Sequence, residues 1–254
     1  MKPRLLLTQI DIHDVGTLNT TKRAGPAAII FLGPPGAGKG TQARHVATEY
    51  RLPYISTGDV FRAHVAQKTG FGLQAAEIMS RGMLVPDEVV CGMLEDHIRG
   101  LVSARCLVLD GFPRSVGQAK WLDRFLHAQS GECHDFSRNV PVAISINVDR
   151  DLLLRRLVGR RSCPSCGRTY NLHFQPPKNP GTCDYDDGML LTRPDDSESV
   201  VCERLIVYDQ NALPVIEYYR HKGQLLEIDG SDTVDGVKAA IAIEVESAFA
   251  FATK

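Results

Sequence analysis

The sequence predicts an α/β fold built on a parallel sheet, and three observations carry that prediction. Short apolar runs alternate with stretches of helical character. The first run ends in a glycine-rich loop that leads into a helix. The last stretch carries apolar residues at helical spacing. Strands alternating with helices fold most readily as parallel strands joined by helical crossovers.

The elements follow in order. Ala27-Ala28-Ile29-Ile30-Phe31-Leu32 reads as a buried strand, and Gly33 to Gly38 as a loop. Gly40 to Tyr50 reads as a helix. Later apolar runs are Cys106 to Leu109, Val142 to Val148 and Leu225 to Ile228. Asp87 to Arg99 reads as a helix, with Asp87 placed to favour its start. In the terminal helix, about 234–251, Val237, Ile241, Val245 and Ala248 share one face. Ser162 to about Pro194 breaks the pattern with five prolines, several glycines and three cysteines. It reads as a small separate lobe inserted in the chain.

Composition narrows the function. The 254 residues are 43% hydrophobic and 23% charged, enough for an ample core. The 29 basic and 30 acidic residues leave a net charge of −1, which argues against a dedicated nucleic-acid binder. No stretch approaches the ~20 apolar residues of a membrane span. Residues 1–25 read as an extension. Their apolar run is too short for a secretory signal, and Asp11 and Asp14 speak against a standard transit peptide. Seven cysteines without a secretory signal suggest reduced thiols. A cytoplasmic location is expected, with a mitochondrial one as the alternative.

Gly33-Pro34-Pro35-Gly36-Ala37-Gly38-Lys39-Gly40-Thr41 is a close variant of the phosphate-loop pattern, with the hydroxyl one residue late. Its glycines let backbone N–H groups converge on an anion, the following helix adds its positive end, and Lys39 supplies a point charge. Asp110, ending the Cys106 run, is placed to meet Mg2+ and its waters.

Several further motifs resemble the adenylate kinase family. They are Tyr54-Ile55-Ser56-Thr57-Gly58-Asp59-Val60-Phe61-Arg62, Leu109-Asp110-Gly111-Phe112-Pro113-Arg114, Val158-Gly159-Arg160-Arg161, Thr192-Arg193-Pro194-Asp195-Asp196 and Glu203-Arg204-Leu205. The resemblance runs in order from about Ala27 to the C-terminus. It implies a phosphate-loop NTPase fold with a five-stranded parallel sheet and a single domain over 26–254. Within it, about 56–85 would be a mobile AMP-binding lobe and about 159–195 a lid.

The implied reaction is reversible, Mg2+-dependent phosphoryl transfer from ATP to AMP, with Lys39, Arg114, Arg160, Arg193 and Arg204 acting on the transferring group. ATP would meet Gly36, Ala37, Gly38, Lys39, Gly40, Thr41, Arg156, Arg160 and Tyr170. AMP would meet Thr57, Arg62, Met83, Leu84, Val85, Gly111, Arg114, Gln118, Arg193 and Arg204. Planar guanidinium groups suit this role because each grips two phosphate oxygens. Thr57 and Gln118 favour adenine as acceptor base. A GTP-dependent AMP kinase, or another nucleoside-monophosphate kinase, is the nearest alternative. A monomer is expected, with no nucleic-acid or membrane partner.

Cys163-Pro-Ser-Cys166 and Cys183-Asp-Tyr-Asp186 have structural zinc spacing, with Asp186 as the fourth ligand. Asp184 and Asp187 flank it and compete for that place. A Cys163–Cys166 disulfide or free thiols are the other readings. Cys91, Cys106, Cys133 and Cys202 read as isolated and non-catalytic.

Overall fold

A computed structural model describes residues 26–70, 72, 73, 76, 78, 85–99, 106–129 and 140–251. The extension 1–25, Met83, Leu84 and Cys133 lie outside the described residues.

Five strands form one parallel sheet: β1 (Ala28–Leu32), β2 (Tyr54–Ser56), β3 (Leu107–Asp110), β4 (Val142–Asn147) and β7 (Leu225–Asp229), in the order β2-β3-β1-β4-β7. The four apolar runs read from sequence are four of these strands. β2 is the fifth. At three residues it is too short to show a pattern of its own.

The sheet separates two apolar cores. Along β1 the side chains alternate, with Ala28, Ile30 and Leu32 in one core and Ile29 and Phe31 in the other. The first core is closed by α2 (Thr57–Ala66), α3 (Asp87–Arg99) and α4 (Val116–Gln129), through Phe61, Leu94 and Leu122 among others. The second is closed by α1 (Lys39–Tyr50), α5 (Arg150–Val158) and α7 (Val234–Phe251). In α7, Val237, Ile241 and Val245 are buried as the spacing predicts, and Ala248 is half-buried. The 24-residue α6 (Glu198–His221) crosses from one core to the other. Val201 and Leu205 sit in the second, Val215 and Tyr219 in the first.

The insert is a lobe with its own antiparallel pair, β5 (Arg160–Ser162) and β6 (Thr169–Asn171). Its core is small: Cys163, Cys183 and Leu190, with Cys166 and Tyr170 packed on them. Two backbone bonds close its base, Ser162 N–H to the Leu191 carbonyl at 2.8 Å and Leu191 N–H to the Ser162 carbonyl at 2.9 Å. Among the described helices, none is long and apolar enough to cross a membrane.

Candidate active site

β1 and β3 are neighbours, with Phe31 opposite Asp110, and the chain leaves both at their carboxyl ends. Open parallel sheets form their ligand crevice at such a point. A cleft of about 740 Å³ opens there between the sheet, α1, α2 and the inserted lobe.

The phosphate loop forms its floor. Gly38, at φ +92°, is the left-handed residue from which α1 begins. The first turn of α1 holds no acid, so its positive end faces the cleft unopposed. Gly36, Ala37, Gly38, Lys39, Gly40 and Thr41 all line the cleft. A Cβ on Gly40 would stand 3.0 Å from Asp110 Oδ2, so a side chain there would press on the carboxylate.

Lys39 Nζ folds over the loop and donates to the Gly33 and Pro34 carbonyls at 2.7 and 2.8 Å. Burial pushes its pKa down to about 7. Asp110 opposes the shift, and Arg114, Arg204 and Arg160 reinforce it.

Lys39, Arg62, Arg114, Arg160, Arg193 and Arg204 are among the basic residues that line this cleft. Each is held by the protein. Arg62 bonds Asp59 Oδ1 at 2.6 Å. Arg114 Nε donates to the Gly111 carbonyl at 2.8 Å. Arg160 is bidentate on the buried Asp196. Arg193 Nε donates to the Ser162 hydroxyl at 2.7 Å. Arg204 pairs with Asp195 at 2.8 Å and reaches Asp196 at 3.5 Å. Burial first, and like charges next, lower Arg193 to about 10; for Arg204, burial and the like charges outweigh Asp195, giving about 10 as well. Both remain charged at neutral pH, so the cleft is a concentrated positive field awaiting anions.

Beside Arg114, Thr57 and Gln118 are buried rather than lining the cleft, and Thr57 Oγ1 donates to the Gly111 carbonyl at 3.0 Å. Gln118 accepts from Arg114 N–H at 2.7 Å and donates to Asp87 Oδ1 at 2.8 Å. Its amide is thereby oriented, and among the described residues one N–H and one lone pair take no protein partner. Val85 is half-buried and packs on the first core rather than standing free. At the other end, Arg156 donates to the Gly230 carbonyl at 2.9 Å and lies 5.9 Å from the Phe174 ring. Tyr170 also lines the cleft, but its hydroxyl sits 3.3 Å from Cys183 Sγ.

Sequence reasoning missed several residues here. Asp59, Asp195 and Asp196 stood inside the quoted motifs without a role; only for Asp59 was there a local signal, Arg62 three positions on. Arg44, Tyr54, Asn171 and Phe174 line the cleft with no distinguishing pattern in the sequence.

In the lobe, the Cys163, Cys166 and Cys183 sulfurs and an Asp186 oxygen lie within 4.8 Å of one another. Cys163 Sγ is 3.3 Å from both Asp186 oxygens, and Cys166 Sγ is 3.6 Å from Cys183 Sγ. Tetrahedral zinc–thiolate bonding puts sulfurs about 3.8 Å apart, so the donor set fits a zinc ion. The three thiols are free, so the disulfide reading does not hold. Two matching turns present the donors. Gly167 N–H bonds the Cys163 carbonyl and Asp187 N–H the Cys183 carbonyl, each at 3.0 Å, with Gly167 and Asp187 both left-handed. Asp186 is thus the counterpart of Cys166. Asp184 Oδ1 instead accepts from Lys178 N–H at 2.8 Å. Cys91 and Cys106 are buried, and burial raises their thiols to about 11 and about 12. Cys202 is exposed.

A phosphate loop on a parallel sheet, ringed by arginines held ready for anions, defines a nucleotide phosphotransferase. Comparison with known proteins narrows this class. Residues 31–224 match the family model described as adenylate kinase. The chain is 44% identical over 209 residues to an adenylate kinase of Clostridium botulinum (strain Loch Maree / Type A3), covering 82% of this chain and 94% of the relative. It is 42% identical over 216 residues to one from Clostridium perfringens (strain 13 / Type A), covering 85% and 96%. The chain belongs to the adenylate kinase family.

Proposed function

We propose that this protein catalyses reversible transfer of the terminal phosphoryl group of Mg·ATP to AMP, giving two ADP, in adenine nucleotide homeostasis. The observation that carries this reading is the convergence of Lys39 and five arginines on one cleft beside the phosphate loop. Phosphoryl transfer needs little covalent chemistry from the protein. It needs positioning and neutralisation of charge on the equatorial oxygens.

In this reading the loop N–H groups and Lys39 hold the donor's β- and γ-phosphates. Arg62 and Arg114 hold the AMP phosphate, and an AMP oxygen attacks the γ-phosphorus in line. Arg160, Arg193 and Arg204 leave their carboxylate or hydroxyl partners for the transferring group. Asp110 serves the Mg2+ that arrives with ATP. Arg156 and Phe174 flank the donor adenine, while Thr57 and the spare groups of Gln118 meet the acceptor adenine. About 56–85 would serve as the AMP lobe, with Met83 and Leu84 expected to contribute to AMP binding, and about 159–195 as a lid. Closing the two excludes water, which competes as acceptor.

Cys163, Cys166, Cys183 and Asp186 would hold a structural zinc. Four side-chain donors leave no open position, so its part is to order a lobe too small to order itself. The protein acts as a cytoplasmic monomer on small nucleotides, without nucleic-acid or membrane partners.

The test is a coupled assay over ATP and GTP as donors and AMP, CMP, UMP and GMP as acceptors. AMP should exceed the other acceptors by at least about tenfold in kcat/KM, the worth of one good polar contact. Comparable rates with UMP or CMP would overturn the acceptor assignment. A preference for GTP would make the protein a GTP-dependent AMP kinase.

A further inference from the structure

Two side chains between the donor and acceptor ends of the cleft have no part in the reading above. Tyr54, the first residue of β2, donates its hydroxyl to Asp110 Oδ2 at 3.0 Å. The guanidinium of Arg44, on α1, lies over the Tyr54 ring at 4.5 Å. Arg44 also pairs with Asp59 Oδ2 at 2.9 Å, while Asp59 Oδ1 holds Arg62. Asp59 is therefore clamped between two arginines, one from α1 and one from its own helix. The arrangement continues into the inserted lobe. Gly167, in the first cysteine turn, lies so close that a Cβ there would stand 3.3 Å from an Arg44 terminal nitrogen.

We propose that Tyr54 and Arg44 are positioning residues that join the carboxylate serving Mg·ATP to the arginine serving AMP. The hydroxyl of Tyr54 fixes the rotation of the Asp110 carboxylate. One oxygen accepts from the phenol, so the plane in which the other meets a metal-bound water is set before Mg·ATP arrives. Outer partners of this kind orient a ligand and tune its affinity without touching the ion. Arg44 holds the ring of Tyr54 from one side and Asp59 from the other. It thereby sets how firmly Asp59 keeps Arg62, the group AMP must draw away. Packing of the Gly167 turn on Arg44 adds the lid to the same chain of contacts. Arg44 thus stands beside the first cysteine turn as well as Tyr54 and Asp59.

The proposal rests on Asp110 serving Mg·ATP, and the experiment separates the two. Activity is titrated with Mg2+ at fixed ATP and AMP for the wild type, Tyr54→Phe, Asp110→Asn and Arg44→Met, with melting temperature and circular dichroism as checks on folding. Tyr54→Phe keeps the ring and its contact with Arg44 and removes only the hydroxyl. It should raise the Mg2+ concentration for half-maximal activity by about tenfold, with the KM for AMP unchanged. Arg44→Met should raise the KM for AMP several-fold and leave the Mg2+ midpoint nearly in place. Asp110→Asn should shift the Mg2+ midpoint at least as far as Tyr54→Phe. If Asp110→Asn shifts it and Tyr54→Phe superposes on wild type, the positioning role is wrong while the Asp110 role survives. If neither shifts it, both are wrong. A fall in kcat that is the same at every Mg2+ concentration would mark Tyr54 as merely structural and also overturn the proposal.

Discussion

Arg160 lies flat against Asp196, its Nε 2.8 Å from Oδ2 and its terminal nitrogen on Oδ1, with the carboxylate wholly shielded from solvent. The pair keeps the Arg160 guanidinium neutralised and oriented at the edge of the cleft. Asp196→Asn preserves shape but removes the charge, leaving a largely buried guanidinium short of its partner. We expect about 3 kcal/mol of lost stability in urea unfolding, the scale of a broken buried pair. The variant should also lose kcat, because Arg160 is no longer held in place. An unfolding curve overlying wild type would show that Asp195 and solvent suffice to support Arg160 and Arg204.

Lys39 should make ATP binding consume a proton. In the free protein burial holds its pKa at about 7, so above that pH it is mostly neutral. Triphosphate oxygens favour the charged form and raise the pKa toward the ordinary lysine value. Between about pH 7 and 10 the bound state therefore carries the extra proton, and affinity falls as pH rises through that window. Calorimetry at pH 8.5 in buffers of different ionisation enthalpy should show uptake approaching one proton per ATP. Lys39→Met should abolish the uptake and lower kcat by about 10²-fold or more. Equal uptake in the variant would assign the proton to another group.

Gly40 is constrained by Asp110 rather than by its backbone angles. Gly40→Ala puts a methyl 3.0 Å from Asp110 Oδ2 and must push the carboxylate aside. kcat/KM for ATP should fall by about tenfold, while the KM for AMP and the melting temperature change little. A fully active alanine variant would mean that Asp110 has room to move without consequence.

The lobe should hold one zinc per chain by metal analysis of tag-free protein. Removing it with a mercurial and a chelator should lower the melting temperature and loosen the lobe, with helix content nearly unchanged because the parallel sheet has its own two cores. Cys163→Ser should act alike. Asp186→Ala should be milder, since water can take an oxygen's place. The assignment fails if purified protein carries no zinc and all three lobe cysteines react together in the native state.

The sheet and the ring of cations were legible in the sequence for different reasons. Runs such as Ile29-Ile30-Phe31 announce a strand because both faces are buried, so every side chain is apolar. Tyr54–Ser56 escapes that rule, being three residues long with a half-buried Tyr54 and a polar Ser56. The arginines were legible through their motifs. Their resting partners were mostly not, because nothing in the sequence ties Asp59 to Arg44 or Asp196 to Arg160 until the fold brings them together. Arg44 and Asp59 lie fifteen positions apart, and Arg160 and Asp196 thirty-six, distances that no local pattern spans.

The paired backbone bonds between Ser162 and Leu191 have a consequence for how this chain can change over time. They zip the lobe shut at its root, so Arg160 on one side and Arg193 on the other are anchored to the seam, not to what lies beyond it. Apart from the cleft-lining Gly167, Thr169, Tyr170, Asn171, Phe174 and Gln175, everything from 163 to 190 is a cassette. Its staple could be swapped for another set of donors, or its length altered, while the two guanidinium groups at the seam keep their stations. Selection on metal supply or growth temperature can therefore work on the cassette almost independently of selection on the chemistry.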